Sequence, residues 1–133
     1  MMSLNVRGAR DVGKFERIIK FVYSYHIDLL VLTETHITVE IETVISKKFP
    51  DLLVTSHAPH SDKTGVTFVS TNKNKVKWTN ADIKYRDLDG RAMAIRMTCD
   101  GAAKPFVCLG IYAPNIPSPP HIQRHHSYHI NQT

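Results

Sequence analysis

The pattern of apolar and polar positions predicts a strand, a helix and a second strand at the start of the chain. Residues 3–8 resemble the end of a strand, and within residues 11–26 apolar side chains recur at offsets of 0, 3, 4 and 7, the spacing of one helix face. Residues 29–32 are then apolar without interruption, as in a strand buried on both faces. This order predicts a βαβ unit with a parallel pair of strands.

A second, shorter helix is predicted between Thr38 and Pro50. Thr38 can act as its N-cap, and Glu40 and Glu42 fall in the first turn, where carboxylates interact favourably with the helix dipole. Pro50 marks its end because proline cannot continue a helix.

Most of the remaining chain is predicted to form antiparallel sheet. Candidate strands lie at residues 51–58, 65–70, 75–86, 91–98 and 105–113. Asp89-Gly90 and Asp100-Gly101 join the last three, and Asp-Gly is typical of tight hairpin turns. The pattern therefore predicts a mixed α/β (α+β) domain over residues 1–117.

Residues 118–133 have no strong period and are rich in proline and histidine. Such a composition is typical of a chain terminus that does not pack against a core. We expect these residues to form a disordered tail.

The composition adds limits on cell location and redox state. A chain of 133 residues with 42% hydrophobic and 22% charged residues is in the range of one soluble domain. It contains no apolar run of the roughly 18 residues that a membrane span needs and no apolar signal segment, so we expect an intracellular protein, nuclear or cytoplasmic. Cys99 and Cys108 lie in predicted strands and are expected to be reduced.

The formal net charge is +5. An excess of Lys and Arg is compatible with a polyanionic partner, since each neutralised phosphate releases counterions. It is equally compatible with solvated hairpin surfaces, and composition alone does not separate the two.

The most suggestive polar residues follow strands. Glu34 comes directly after the buried run at 29–32, a position where one carboxylate can hold Mg²⁺, which keeps several waters; the alternative is a surface acid. Asn5 and Asn115 follow the first and last predicted strands and could orient a phosphate oxygen or form ordinary turns. Tyr112 could donate a hydrogen bond to an oxyanion or simply belong to the core.

In combination and in order, these residues resemble a known family. The segments are "LNVRG" with Asn5 and Arg7, "LTETH" with Glu34, "GVTFV" at 65–69, "DGRAMAIRM" at 89–97 and "LGIYAPN" at 109–115. They are similar to the endonuclease/exonuclease/phosphatase superfamily, and within it most similar to the apurinic-type endonuclease domains of non-LTR retrotransposons. The resemblance covers about residues 3–117.

The resemblance implies part of a four-layered α/β sandwich, with two packed sheets and helices outside. It implies a hydrolase that cleaves DNA phosphodiester bonds with Mg²⁺ or Mn²⁺. The implied roles are metal binding by Glu34 and Asn5, a position at the scissile phosphate for Tyr112, support of the site by Asn115, and nucleic-acid binding by Arg7 and Arg91.

The chain also departs from that family. Thr33 stands where Gln is common, and the family's Asp-x-Asn and Ser-Asp-His motifs do not occur; no Asp follows Asp100. The resemblance therefore predicts the N-terminal half of a domain, inactive by itself, or a non-catalytic, retrotransposon-derived nucleic-acid-binding remnant. A small-molecule phosphatase is a third reading. A chain holding mostly one of the two sheets would also leave an apolar sheet face uncovered, which predicts self-association.

Overall fold

The computed structural model describes residues 1–60, 62–71, 76–102, 104–113 and 127–130, with only the backbone described at 71 and 127–130. These residues form three layers: two helices, a first sheet and a second sheet packed against its other face. The predicted mixed α/β fold is confirmed. The fourth layer that the resemblance implies has no counterpart among the described helices, because both of them pack on the first sheet.

The first sheet has four strands, β1 (Met2–Asn5), β2 (Leu30–Thr33), β3 (Leu52–His57) and β4 (Val66–Thr71), in the order β1-β2-β4-β3. β1 and β2 are parallel, and the other pairs are antiparallel. β2 therefore lies in the interior of the sheet, and all four of its residues are buried. This confirms the parallel pair predicted from the uninterrupted apolar run.

Helix α1 (Val12–Ser24) connects β1 to β2, and α2 (Val39–Lys48) connects β2 to β3. The carboxylate of Asp11 accepts a hydrogen bond from the Gly13 N–H at 2.8 Å, which satisfies one of the unpaired donors of the first turn of α1. The helices pack on one face of the first sheet through a core whose largest members are Phe15, Ile19, Val22, Leu30, Leu32, Ile37 and Ile45.

The second sheet contains β5 (Val76–Lys77), β6 (Ile83–Arg86), β7 (Ala92–Cys99), β8 (Phe106–Tyr112) and β9 (Ser127–Ile130). Its strands are antiparallel in the order β5-β7-β8-β9, and β6 pairs with β7.

The single strand predicted at residues 75–86 is wrong in one respect, because it is interrupted. Thr79 and Asp82 form a reciprocal capping box around one turn of 3₁₀ helix, Asn80–Asp82, which separates β5 from β6. Asp82 accepts hydrogen bonds from the Thr79 N–H at 2.7 Å and from the Thr79 hydroxyl at 3.0 Å. These local bonds compete with the strand ladder.

The two sheets cover each other's inner faces. Val31 and Phe68 of the first sheet pack against Met93, Ile95 and Met97 of the second, all fully buried. The expectation that this chain holds mostly one sheet is therefore wrong: both are present, because β5 to β9 supply the second.

Gly110 on β8 allows the sheets to approach closely. A Cβ atom there would lie 2.8 Å from Val66 Cγ1 and 3.1 Å from Phe68 Cζ, too close for any other residue without movement. The strands β2, β4 and β8 thus meet backbone against side chain at this point, which brings the end of β8 near the ends of β1 and β2.

Two exposed apolar side chains lie on the outer face of the second sheet. Val107 is 42% exposed and Tyr85 53% exposed. Both point away from the inner face: Val107 alternates along β8 with inward-facing Cys108, and Tyr85 pairs with Ala94, which alternates along β7 with inward-facing Met93 and Ile95. Any uncovered sheet face is therefore this outer face and not one between the sheets.

The tail is also partly different from the expectation. Residues 118–133 were predicted to be disordered, but Ser127–Ile130 form β9, which pairs with β8 from Leu109 to Tyr112. The edge of β8 offers unpaired N–H and C=O groups that such a segment can bond. Residues 118–126 and 131–133 lie outside the described residues. Within the described part of the chain, neither helix is long and apolar enough to cross a membrane.

Candidate active site at the Glu34 end of the sandwich

Five of the six predicted site residues lie at one end of the sandwich, which we call the Glu34 end. Asn5, the last residue of β1, pairs with Thr33, the last residue of β2, so the loops that carry Arg7 and Glu34 leave the sheet side by side. The Asn5 side-chain oxygen accepts a hydrogen bond from the Arg7 N–H at 3.2 Å, and the Glu34 C=O accepts one from the Gly8 N–H at 2.5 Å. The two loops are therefore bonded to each other.

Tyr112 reaches this site from the second sheet. Its hydroxyl donates a hydrogen bond to Glu34 Oε1 at 2.8 Å, although the two residues are 78 positions apart in sequence. Both side chains are half-buried. The N–H of Tyr112 also donates to the Arg91 C=O at 2.7 Å, so Arg91 lies at the same end.

The electrostatics connect four of the predicted side chains. Burial raises the pKa of Tyr112, and the hydrogen bond and negative charge of Glu34 raise it further, while the positive charges of Arg91 and Arg7 oppose the rise. The phenol of Tyr112 is therefore kept protonated, as a donor, at neutral pH. Arg7 and Arg91 are both exposed, so their guanidinium groups are accessible to an anion.

The backbone at this end is held in an unusual conformation. Arg7, Glu34, His36 and Thr64 have φ values of 50°, 55°, 58° and 60°, in the left-handed region that residues other than glycine rarely adopt. Such conformations cost roughly 1 to 3 kcal/mol each and persist only where surrounding contacts hold them. Backbone bonds do so here: Thr35 N–H donates to the Gly65 C=O at 3.3 Å, and His36 N–H to the Thr64 C=O at 3.0 Å.

Gly65 is required by close packing beneath Glu34. A Cβ atom at this position would lie 2.6 Å from Thr35 Oγ1 and 2.9 Å from the His36 backbone nitrogen, and its φ is +114°. The Gly65 N–H donates to the Gly90 C=O at 2.8 Å. The loop before β4 thus links the residues after Glu34 to the turn before β7.

A chain of hydroxyl groups supports the same loop from inside. Ser56 and Thr67 hydroxyls are 2.7 Å apart, and Thr67 donates to Thr35 Oγ1 at 2.9 Å. The Ser56 hydroxyl also lies 2.7 Å from the Ile37 C=O, and its one proton can be donated either to that oxygen or to Thr67. Because Thr35 and Thr67 are fully buried, these bonds satisfy groups that water does not reach.

Sequence reasoning missed Asp87, whose carboxylate organises a turn at this end. Its carboxylate accepts hydrogen bonds from the N–H groups of Gly90, Arg91 and Ala92 at 3.0, 2.9 and 3.1 Å. Burial raises the pKa of this carboxyl, but the N–H donors and nearby His57 outweigh burial and lower it overall. An Asp three positions before a Gly is typical of a β-turn and was the signal that could have identified it.

The donor chemistry fits a weakly held Mg²⁺. Glu34 offers a carboxylate and Asn5 an amide oxygen, and Mg²⁺ is often bound by one or two protein oxygens together with water. Among the described residues, no group of three or more His, Cys, Asp and Glu side chains could hold a metal ion. Asn115, which the resemblance assigns to the site, lies outside the described residues.

A cavity of about 630 Å³ lies at the opposite end of the sandwich. We call this the Trp78 end, and the residues that line the cavity are Leu52, Leu53, Lys77, Trp78, Thr79, Asp82 and Thr98. Leu52 begins β3, whereas His57, at its other end, lies near Asp87. The cavity is therefore separate from the predicted site residues.

Comparison with known proteins adds no family assignment: no protein-family model matches this sequence, and no curated protein matches it.

Proposed function

We propose that this chain carries the metal- and phosphate-binding part of a Mg²⁺-dependent phosphodiesterase of the endonuclease/exonuclease/phosphatase type, with DNA as its substrate. The observation that supports this most directly is the 2.8 Å hydrogen bond between Tyr112 and Glu34, with Arg7 and Arg91 close enough to influence the same phenol. A carboxylate, a protonated phenol and two guanidinium groups at one edge are suited to a phosphodiester.

Each side chain has a distinct part in the proposed site. Glu34 and Asn5 would hold Mg²⁺ or Mn²⁺, which when bound neutralises charge on a phosphate oxygen. Tyr112 stays protonated and can donate to a phosphate oxygen on which charge develops. Arg7 and Arg91 can bind phosphate groups, because guanidinium matches phosphate geometry.

We further propose that the isolated chain has negligible nuclease activity. The sequence contains neither the Asp-x-Asn nor the Ser-Asp-His motif that would supply the general base and the phosphate-binding histidine. General-base catalysis typically contributes about 10² to 10⁴ in rate. A plasmid-nicking assay with Mg²⁺ should therefore show no cleavage above background. Clear nicking that Glu34→Ala abolishes would overturn this part of the proposal.

Metal binding tests the role of Glu34 without requiring catalysis. Titration with Mn²⁺, followed by its electron paramagnetic resonance signal, should show weak binding that Glu34→Gln reduces about tenfold or more, since the substitution removes the one charged ligand. Glu40→Gln, an exposed acid in the first turn of α2, is the matched control and should bind Mn²⁺ like the wild type. Equal binding by all three proteins would refute a metal role for Glu34.

A second candidate function is nucleic-acid binding without catalysis, as a retrotransposon-derived remnant. The exposure of Arg7 and Arg91 and the net charge of +5 favour it. In EDTA the chain should bind duplex DNA with a salt dependence that Arg7→Ala and Arg91→Ala each reduce by about one unit of slope. Lys47→Ala, in the last turn of α2, is the control. Metal-independent binding that Glu34→Gln leaves unchanged would favour this candidate over the enzyme.

The outer face of the second sheet is the proposed site of self-association. Sedimentation should then depend on protein concentration, and Val107→Lys should abolish that dependence because it places a charge in the contact. Val44→Lys, at a comparably exposed valine of α2, should not. A monomer at all concentrations would exclude self-association.

The proposed DNA substrate requires an intracellular location, nuclear or cytoplasmic.

A further inference from the structure

The turn between β6 and β7 lies between the two halves of the proposed site. Asp87 Oδ1 accepts three successive backbone N–H groups, those of Gly90, Arg91 and Ala92, and Oδ2 is 3.1 Å from the Arg91 nitrogen. The Asp87 N–H in turn donates to the Ala92 C=O at 3.2 Å. One carboxylate therefore determines the conformation of the whole turn, including the backbone of Arg91.

His57 anchors this turn to the other sheet. It is the last residue of β3 in the first sheet, and its Nε2 lies 2.6 Å from the Asp87 backbone oxygen and 3.4 Å from Asp87 Oδ1. The side chains of His57 and Asp87 are only 15% and 20% exposed. The contact is thus sheltered, and it joins the edges of the two sheets at the Glu34 end.

The turn makes two further connections, one toward Glu34 and one toward Tyr112. The Gly90 C=O accepts the Gly65 N–H, and the Asp89 C=O accepts the Thr64 hydroxyl at 2.5 Å; Thr64 and Gly65 bond the two residues after Glu34. The Arg91 C=O accepts the Tyr112 N–H at 2.7 Å. The same turn therefore bonds Tyr112 directly and is linked to the two residues after Glu34 through Thr64 and Gly65.

We infer that Asp87, anchored by His57, is a positioning residue that places Arg91 and Tyr112 relative to Glu34. This inference rests on the proposed function for its consequence in phosphate binding, but not for the placement itself. Asp87 acts through the backbone, because its oxygens are used by N–H groups of its own turn and its negative charge would repel a phosphate.

Hydrogen exchange tests the placement without any ligand. In Asp87→Ala the Tyr112 N–H should exchange about tenfold faster than in the wild type, because the turn that holds its acceptor loses its internal bonds. Asp87→Asn keeps one acceptor oxygen and should restore most of the protection. Asp82→Ala, which removes a capping aspartate at the Trp78 end, is the matched control and should leave the Tyr112 N–H unchanged.

Two outcomes of that experiment would overturn the inference. One is unchanged Tyr112 exchange in a folded Asp87→Ala protein. The other is equal acceleration by Asp82→Ala, which would indicate a general loss of stability. If Asp87→Ala does not fold, Asp87→Asn is compared with Asp82→Asn instead. Exchange of the Tyr112 N–H should then be faster than in the wild type only in Asp87→Asn, by less than the tenfold expected for Asp87→Ala.

His57 is tested by a conservative replacement. His57→Gln keeps a side-chain N–H that can donate to the Asp87 backbone oxygen, whereas His57→Ala removes it. Tyr112 exchange should accelerate severalfold in His57→Ala and return toward the wild-type rate in His57→Gln. No difference between the two variants would remove His57 from the inference.

Duplex DNA binding tests the consequence. Asp87→Ala and Arg91→Ala should each weaken binding about five- to tenfold at low salt, and the double variant should bind no more weakly than Arg91→Ala alone, because both changes remove the same contact. Additive losses would overturn positioning through Arg91. Failure of the wild type to bind DNA would refute the nucleic-acid partner of the proposed function, whereas the exchange result would still decide the placement.

Discussion

The two ends of this sandwich close the same pair of sheets in different ways. Four of the five described residues other than glycine with positive φ, Arg7, Glu34, His36 and Thr64, lie at the Glu34 end. Hydrogen bonds between neighbouring loops of the first sheet hold them there, and bonds from Gly65 to Gly90 and from Tyr112 to Glu34 connect this end to the second sheet. Strained backbone that is held by surrounding contacts is characteristic of functional sites.

The Trp78 end has mainly apolar packing around a cavity. Its buried polar contacts include the hydrogen bonds from Trp78 Nε1 to Thr55 Oγ1 and from the Ser70 hydroxyl to the Val76 C=O, both at 2.8 Å, and Asp82 there caps only its own turn. The comparison teaches that the cavity and the chemically suited residues are at different ends.

The largest contrast between the ends is expected for two glycine substitutions. Gly65→Ala should lower the free energy of unfolding by roughly 3 to 4 kcal/mol, because it combines a left-handed backbone with contacts shorter than 3 Å. Gly101→Ala has the same backbone penalty but meets no atom within 4 Å, so about 1 to 2 kcal/mol is expected. Urea denaturation measures both, and equal losses would show that the Glu34 end is not tightly packed.

Buried hydroxyl groups give the next contrast. Thr67→Val should cost roughly 2 kcal/mol, because it leaves both Ser56 and Thr35 without a hydrogen-bond partner that they now use. Thr55→Val leaves only the Trp78 N–H without its acceptor and should cost about 1 kcal/mol. Urea denaturation measures both losses. A larger loss for Thr55→Val would reverse the comparison.

Titration of Tyr112 gives a smaller effect, specific to the Glu34 end. Glu34→Gln should lower the pKa of Tyr112, since it removes a negative charge that disfavours the phenolate. Ultraviolet absorbance of the phenolate measures this pKa, with Tyr112→Phe subtracted to identify the signal. Glu40→Gln is the matched control and should have no effect on it.

The same pKa predicts the alkaline dependence of stability. Because the pKa of Tyr112 is raised in the folded state, the protonated phenol stabilises the fold fully at pH values below the usual tyrosine pKa near 10. This stabilisation is lost as the pH rises through the folded-state pKa. Tyr112→Phe should therefore make the loss of stability above about pH 10 shallower. An unchanged alkaline slope would contradict the raised pKa.

The smallest expected effect is shared by both ends. The pKa of Asp82 is lowered by hydrogen bonds from the Thr79 backbone and side chain, and that of Asp87 is also lowered overall. Each ionised carboxylate therefore stabilises the fold at pH values above the usual aspartate pKa. This stabilisation is lost as the pH falls through the lower, folded-state pKa. Asp82→Asn and Asp87→Asn should each make the acid limb of the stability curve shallower. If neither does, these hydrogen bonds do not stabilise the ionised carboxylates.

Much of the fold followed from local patterns. The period of residues 11–26 and the apolar run at 29–32 predicted α1, β2 and their parallel connection, because a buried helix face and a doubly buried strand each leave a short-range signature. The interruption between β5 and β6 was missed, although Thr79 and Asp82 carry the spacing of a capping box. The alternating pattern of residues 75–86 favours one strand, but the hydrogen bonds between Thr79 and Asp82 interrupt it.

The site was predictable as separate residues but not as an arrangement. Glu34 and Asn5 could be placed at neighbouring strand ends, because adjacent parallel strands have their carboxyl ends at one edge. The position of Tyr112 relative to Glu34 depends on a sheet that the sequence analysis expected to be largely missing. Asp87 was overlooked because its three bonds are to backbone groups, which every residue has.

The sequence by itself therefore determined the order of strands and helices from β1 to β4 and the positions at which polar side chains follow buried strands. These are properties of neighbours a few residues apart. Only the tertiary structure decided that Tyr112 meets Glu34, because that contact depends on the packing of one sheet on the other, with Gly110 at their closest approach. The relative placement of two sheets is set by many small apolar contacts between distant residues, and no local period encodes it.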